Sequence, residues 1–388
     1  MAKGDAFPSE RIEFRDVETD ARVQQLTNHK GNSHHLYFTN AGWYDGGRKL
    51  VVGSDRQNAT NLYGVDLESG ELRQLTDLPD AGSGTFLSTS VNPARDEAYY
   101  WFRGRLVALD LDTLEERVLY EVPEGFKGSG CTNVTADGRY VCVNVTEDVN
   151  DKLAAMLGPD YHRLSLYPGF AEHVDLHPLS QVVRIPVDGS PPNVAWEENH
   201  WIGHINTSPG RADLLTFCHE GPWDLVDHRI WGLDIENGKA WKIRPTEPGE
   251  RVGHEYWQAD GEHIGYHGTL QGRPFLGSIN YDNTDQQEME TVSVQHCHSN
   301  DVGLVVGDGQ RDFPQLVLWR STGDAWDKPR TLHTHRGSFH VQHVHVHPRF
   351  NAAGNQIVFT SDHNGYGNVF LIDVPDDVEA LPVHERPR

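Results

Sequence analysis

One pattern recurs seven times along this chain, at first-turn spacings of roughly 40–50 residues and one near 70 where 146–181 is inserted, and that repeat limits what the chain can fold into more than any other feature. Each copy opens on a turn, often Asp-Gly or Pro-Gly. An alternating apolar run, a polar loop, a second apolar run ending near Asp, and a short basic run follow. The clearest copy is 43–77, WYDGGRKLVVGSDRQNATNLYGVDLESGELRQLTD. The others span 90–123, 133–196, 205–245, 254–292, 299–335 and 347–374. Alternation with period two makes each copy about four strands, the size of a β-propeller blade. Seven such copies use nearly all 388 residues. The expected fold is all-β, a seven-bladed β-propeller over 1–388 as one domain. The seventh copy stops near Val374 without an outer strand. ARVQQLT (21–27) matches ELRQLTD (71–77) and is expected to supply that strand, closing the ring and removing exposed sheet edges. An insertion at 146–181 holds a short helix around 150–158 and is expected to overhang one face.

Charge narrows the partners. There are 33 Lys and Arg against 57 Asp and Glu, a net charge of −24. Neutralising phosphates needs a basic face, so nucleic acid is excluded as a partner, and an anionic membrane surface with it. An acidic substrate would need a local metal or basic site to overcome this field. The basic residues are 25 Arg and 8 Lys, compatible with a salt-rich cytoplasm or with a GC-rich genome. No run approaches about 18 apolar residues, so no spanning helix is expected. MAKGDAFPSERIEF has no apolar leader. Cys131, Cys142, Cys218 and Cys297 form neither a CxxC pair nor a disulfide framework. The expected location is the cytoplasm, and no feature speaks to oligomeric state.

Histidines carry the chemistry. FHVQHVHVHP (339–348) contains His340, His343, His345 and His347. In an extended segment His343, His345 and His347 share a side, and imidazoles at i and i+2 can reach one metal ion. Gln342 would face the other way unless a turn intervenes. QHCHSND (295–301) repeats the pattern with His296 and His298. HEYW supplies His254 and Glu255, WIGHINTSPG supplies His204, and SHHLYF supplies His34 and His35. The 339–348 run alone also reads as a His-rich surface run that binds metal incidentally, and any single histidine also reads as a satisfied structural one. Blade entries meet at one mouth of a propeller, so their recurrence there points to a central pocket. FCHEGPWDLVDHRIW (217–231) is unusually polar for an intra-blade hairpin, with His219, Glu220, Asp224, Asp227, His228 and Arg229. It reads either as a solvated loop held by Asx turns or as a loop presenting an arginine to an anionic substrate. Asp55 and Arg56 have the same character, which makes Arg56 a substrate-binding candidate.

FCHEGPWDLVDHRIW, then GHEYW, then QHCHSND…VGDG, then Gln-x-x-His-x-His-Pro before FTSD resemble the oligogalacturonate lyase family, over essentially the whole chain. The resemblance implies a seven-bladed propeller that cleaves short pectin-derived oligogalacturonides by β-elimination in the cytoplasm, with a divalent metal, typically Mn²⁺. Its metal ligands fall on Gln342, His345 and His347. A further ligand falls within 295–298, aligned on His296 with His298 open. The family base falls on His254 and the family arginine on Arg229. His34, His204, His219 and Glu220 match further pocket positions. The basic side chain that often follows the first family histidine is His35 here. The alternatives are a lyase for another uronate-containing oligosaccharide and a non-catalytic sugar-binding propeller. A serine hydrolase is not supported, since GxSxG is missing.

Overall fold

The alternating runs pair as antiparallel sheets, and the computed structural model, which describes residues 2–128, 130–163, 168–321 and 326–385, contains seven of them. The fifth blade shows the pattern. Glu250–Trp257, His263–Leu270, Arg273–Asn280 and Gln287–Glu290 pair in sequence order, each antiparallel to the next. Middle strands are buried on both faces, whereas an outer strand such as Glu116–Glu121 is mostly exposed.

Apolar side chains fill the seams between blades. Leu36, Val51 and Leu62 of the first blade pack with Phe86, Ala98, Tyr100 and Leu109 of the second. Cys142 and Val182 of the third pack with Ile202, Leu215 and Phe217 of the fourth. The hydrophobic effect is therefore spent between sheets, and polar groups can occupy the axis.

Arg22–Gln25 closes the ring by pairing with Asn368–Asp373, in the register Val23 to Ile372. The N-terminal segment does more than expected. Ile12–Arg15 adds a fifth strand to this sheet, and Ala6–Phe7 pairs with Leu72–Gln74 of the first blade. Ser33–His34 is not a lead-in to the first blade but part of it, paired with Gly53 and Ser54.

The insertion forms the expected helix, Asn150–Leu157, and a second one, Phe170–Asp175. Phe170 and His173 pack on Trp201, with ring centroids 5.1 and 4.0 Å away, and Val174 abuts Gly221. The second helix thus packs against Trp201 and Gly221, which flank strands of the fourth blade. Among the described residues no helix is long and apolar enough to cross a membrane.

Candidate active site

Besides His177 of the insertion, three histidines adopt left-handed backbone conformations, His204 at φ 46°, His254 at φ 51° and His347 at φ 46°. His204 lies in a register break between Gly203 and Asn206, and His254 in one between Gly253 and Tyr256. A bulge inserts an extra residue and re-aims a side chain. A non-glycine residue held there costs on the order of 1–3 kcal/mol, which the surrounding sheet must override. The result is a cluster of rings at the axis. His254 stacks on His296 at 4.9 Å and lies parallel to His204 at 6.1 Å. His296 is 4.3 Å from His347, and Tyr37 is 4.8 Å from His347.

His296, His345 and His347 bring one ring nitrogen each within 4.8 Å of one another. Their planes are mutually inclined by 51°, 69° and 44°, so in-plane lone pairs can converge on one centre. Both nitrogens of His345 and Nε2 of His347 are buried without a hydrogen-bond partner. Each such orphan costs about 1–3 kcal/mol unless something binds it. Burial, with His296 close by, lowers His345 to about 4 and holds His347 well below its usual value. The lone pairs are therefore unprotonated near neutrality. This donor set fits a divalent transition metal.

The extended geometry expected for 339–348 is replaced by a 3₁₀ turn, Gln342–Val344, closed by the His345 N–H on the Gln342 carbonyl at 3.1 Å. The turn rotates His343 away toward His34, 6.0 Å distant, so His343 does not share the side of His345 and His347. It also sets Gln342 one turn before His345 with its carboxamide oxygen buried. His298 stacks on Tyr256 at 5.1 Å, and its Nδ1 accepts the Phe350 N–H at 3.4 Å. Of the 295–298 pair, the fold brings His296 to His345 and His347.

Among the described residues two other groups come within ligating reach of one another, His200–His219–Asp227 and His204–Cys218–Glu220. The first stacks His200 on His219 at 4.2 Å and 10°, and parallel rings cannot share an in-plane ion. The second already holds a cation, because Arg229 contacts Cys218 Sγ at 3.5 Å and Glu220 Oε1 at 3.2 Å.

Within reach of the His296, His345 and His347 group lie His254 and a buried arginine, Arg229. His254 Nδ1 is 2.7 Å from the Gln295 carbonyl, an obligate acceptor, so the proton sits on Nδ1 and the lone pair on Nε2. Burial, followed by His296, His267, His204 and Arg229, holds its pKa well below the usual value. Arg229 donates from Nη1 to the Gly221 carbonyl at 3.0 Å and lies over Trp223 at 5.3 Å. Burial opposes ionisation of Glu220, but Arg229 and then His204 outweigh it and lower its pKa. His204 Nε2 lies 3.4 Å from Glu220 Oε2. Both bulged histidines follow a glycine because the site leaves no room for a side chain. A Cβ on Gly203 would lie 2.6 Å from Glu220 Oε2, and one on Gly253 would lie 2.9 Å from Arg229 Nε.

Two expected substrate contacts do not join this cluster. Arg56 is buried at 1% exposure, paired with Glu10 at 3.0 Å and sandwiched by Phe7 and Tyr63. Glu10 and Phe7 are N-terminal residues that strap the first blade, so this guanidinium is structural. His219 is bonded through Nδ1 to Asp227 at 2.6 Å and through Nε2 to Glu198 at 2.9 Å, with no nitrogen left for a ligand. His34 is buried at the His343 side of the mouth, and His35 donates to the His347 carbonyl at 2.8 Å. Residues that spacing did not reveal are Tyr37, His267, Asp308 and the role of Glu255. Glu255 is fully buried, neither carboxyl oxygen has a partner, and burial pushes it up to about 7 while Arg229 pulls the other way.

A family model described as oligogalacturonate lyase matches residues 1–319. The oligogalacturonide lyase of Pectobacterium atrosepticum is 29% identical over 401 residues, covering 97% of this chain and 100% of the relative. The oligogalacturonate lyase of Dickeya dadantii is 29% identical over 404 residues, with coverage of 97% and 100%. Among solved structures, an oligogalacturonate lyase in complex with manganese superposes with a TM-score of 0.86 at 28% identity, covering 98% of this chain and 100% of the other. A second, from Vibrio parahaemolyticus, superposes with a TM-score of 0.86 at 26% identity, covering 97% and 100%.

Proposed function

The chain belongs to the oligogalacturonate lyase family, and from that premise we propose that it cleaves short oligogalacturonides by metal-dependent β-elimination in the cytoplasm. The observation that carries this is the convergence of His296, His345 and His347 beside neutral His254 and buried Arg229.

β-Elimination removes the C5 proton of a uronate, and an ionised neighbouring carboxylate makes that proton barely acidic. A bound divalent cation supplies the positive charge that stabilises the enolate-like charge developing there. His296, His345 and His347 would hold it with the side-chain carboxamide oxygen of Gln342. These neutral ligands leave it its full charge, and a mixed N/O set suits Mn²⁺, the metal present in the structural relative.

His254 Nε2 takes the C5 proton. Its Nδ1–H stays on the Gln295 carbonyl, which steadies the imidazolium as it forms. Arg229 is prepositioned against Glu220 and Gly221, and its Nε–H, without a protein partner, is the donor left for a uronate carboxylate. The C5–H electron pair becomes the C4=C5 bond, and the C4–O4 bond breaks with its electron pair passing to O4, which takes a proton from water as the departing sugar leaves with a free hydroxyl. Four free, buried cysteines suit a reducing compartment.

Digalacturonate or trigalacturonate with Mn²⁺ should give rising ultraviolet absorbance from the 4,5-unsaturated product, and EDTA should abolish the rise. No rise from folded, metal-loaded protein would overturn the reading.

A further inference from the structure

Asp308 lies between the metal ligands and the base without belonging to either. It is 0% exposed, and its carboxylate accepts three hydrogen bonds. Oδ2 is 2.7 Å from His296 Nδ1. Oδ1 accepts the backbone N–H of Gln295 at 2.9 Å and that of His296 at 2.8 Å. Buried His335 donates from Nε2 to the Asp308 backbone carbonyl at 2.9 Å, and its Nδ1 accepts the Gly337 N–H at 2.9 Å. The aspartate is therefore itself pinned.

Two consequences follow. A carboxylate can only accept, so the His296 proton sits on Nδ1 and the Nε2 lone pair is free for the centre shared with His345 and His347. The same carboxylate also clamps the Gln295 N–H, and the carbonyl of Gln295 receives His254 Nδ1–H at 2.7 Å and His267 Nε2–H at 2.9 Å. One dipeptide, Gln295-His296, thus presents the metal ligand through its imidazole and orients the base through its carbonyl.

We infer that Asp308 is the positioning residue that couples the metal ligand His296 to the base His254. The inference rests on the roles given to those two histidines under the proposed function. Asp308→Asn is the sharpest perturbation. The amide retains an oxygen for the two backbone N–H groups but presents an NH₂ to His296 Nδ1. That forces the ring into the opposite tautomer, with Nε2 protonated and blind to metal.

Metal-stripped protein would be titrated with Mn²⁺ by calorimetry, with a His345→Ala/His347→Ala double variant marking the loss of the site. Asp308→Asn should weaken Kd by about 10–100-fold, the range for loss of a ligand-orienting partner, with a Tm in EDTA near that of the wild type. Asp308→Ala, which also frees both N–H groups, should lower kcat at saturating Mn²⁺ further than Asp308→Asn does. ¹⁵N-imidazole spectra of metal-free wild type give an arm independent of any variant's folding, because His296 must carry its proton on Nδ1. Wild-type Mn²⁺ affinity in folded Asp308→Asn, or a wild-type His296 protonated on Nε2, would overturn the inference. The Mn²⁺ titration and the ¹⁵N spectra, which decide the inference, use no sugar, so absence of uronate cleavage would refute the lyase reading separately.

Discussion

Acid should unfold this protein steeply, and the cause lies in histidines outside the ligand set. Burial leads the causes that lower His34, His228, His267 and His335 to about 4 and His35 to about 3. In the unfolded chain each titrates near 6.5. Between those values the unfolded state binds more protons than the folded one, so stability is full above about pH 6.5 and falls as pH drops toward 4. At pH 5.5 an unfolded histidine is about 90% protonated and a folded one is neutral, a penalty of about 1.4 kcal/mol each. Five such groups lose about 7 kcal/mol, comparable with a whole domain stability of roughly 5–15 kcal/mol. His219 and His263 act in the opposite sense, since carboxylates raise them against burial. They are two against five, and His263 is the more exposed of the pair. Urea unfolding followed by tryptophan fluorescence in EDTA, at pH 7.5 and 5.5, reads the difference. The urea midpoint should collapse at pH 5.5. Equal midpoints would show that burial does not keep these rings neutral, and the argument for unprotonated ligands near neutrality would fail with it.

Glu255 carries the reverse sign. Its pKa of about 7 lies above the ordinary 4.5, so the stability held by its proton is lost as pH rises through that window. Glu255→Gln should raise the pH 8 stability by about 3 kcal/mol and that at pH 5 far less, and an equal Tm gain at both pH values would reject the idea. His254→Ala should cost about 10²–10⁴-fold in turnover with Mn²⁺ affinity retained, and substantial residual cleavage would reject it as base. His345→Ala combined with His347→Ala should abolish bound metal by elemental analysis. It should also abolish the Mn²⁺-dependent stabilisation, about 2.7 kcal/mol at a hundredfold excess over Kd; unchanged metal stoichiometry would place the site elsewhere. With a net charge of −24, molar KCl should raise the Tm by screening self-repulsion, and indifference to salt would count against a salt-adapted surface.

The blades were legible because their strands bury alternate side chains, so period two is written into the residues. Lys49–Ser54 and Asn61–Asp66 fall where the repeat placed them. The closing strand was legible from the likeness of ARVQQLT to ELRQLTD. Ile12–Arg15 was not, because all four of its residues are exposed and its pairing is by main-chain hydrogen bonds. The helix Phe170–Asp175 has no side-chain N-cap bond and no buried residue, and it exists through packing on Trp201. Neither kind of element leaves a local signal.

The site was legible to the depth at which spacing carries information and no further. Recurrent histidines at blade entries announced a shared mouth, and His204, His254, His296 and His347 do gather there. Period two then failed at 339–348, where the turn bonds Val344 N–H to the Val341 carbonyl at 2.9 Å and His345 N–H to the Gln342 carbonyl took over. Arg56 and Arg229 looked alike in sequence, each in a polar hairpin. What separates them is a partner far along the chain, Glu10 for Arg56, against Glu220 nine residues away for Arg229. The Gly203-His204 and Gly253-His254 pairs were the one unread local signal, a glycine clearing space for the side chain that the next histidine's bulge exposes. Which nitrogen of each ring is free to bind or to take a proton is decided by acceptors such as the Gln295 carbonyl and Asp308, 41 residues from His254 and 12 from His296. Spacing can say that two histidines face one point. Only the fold says which lone pair arrives there.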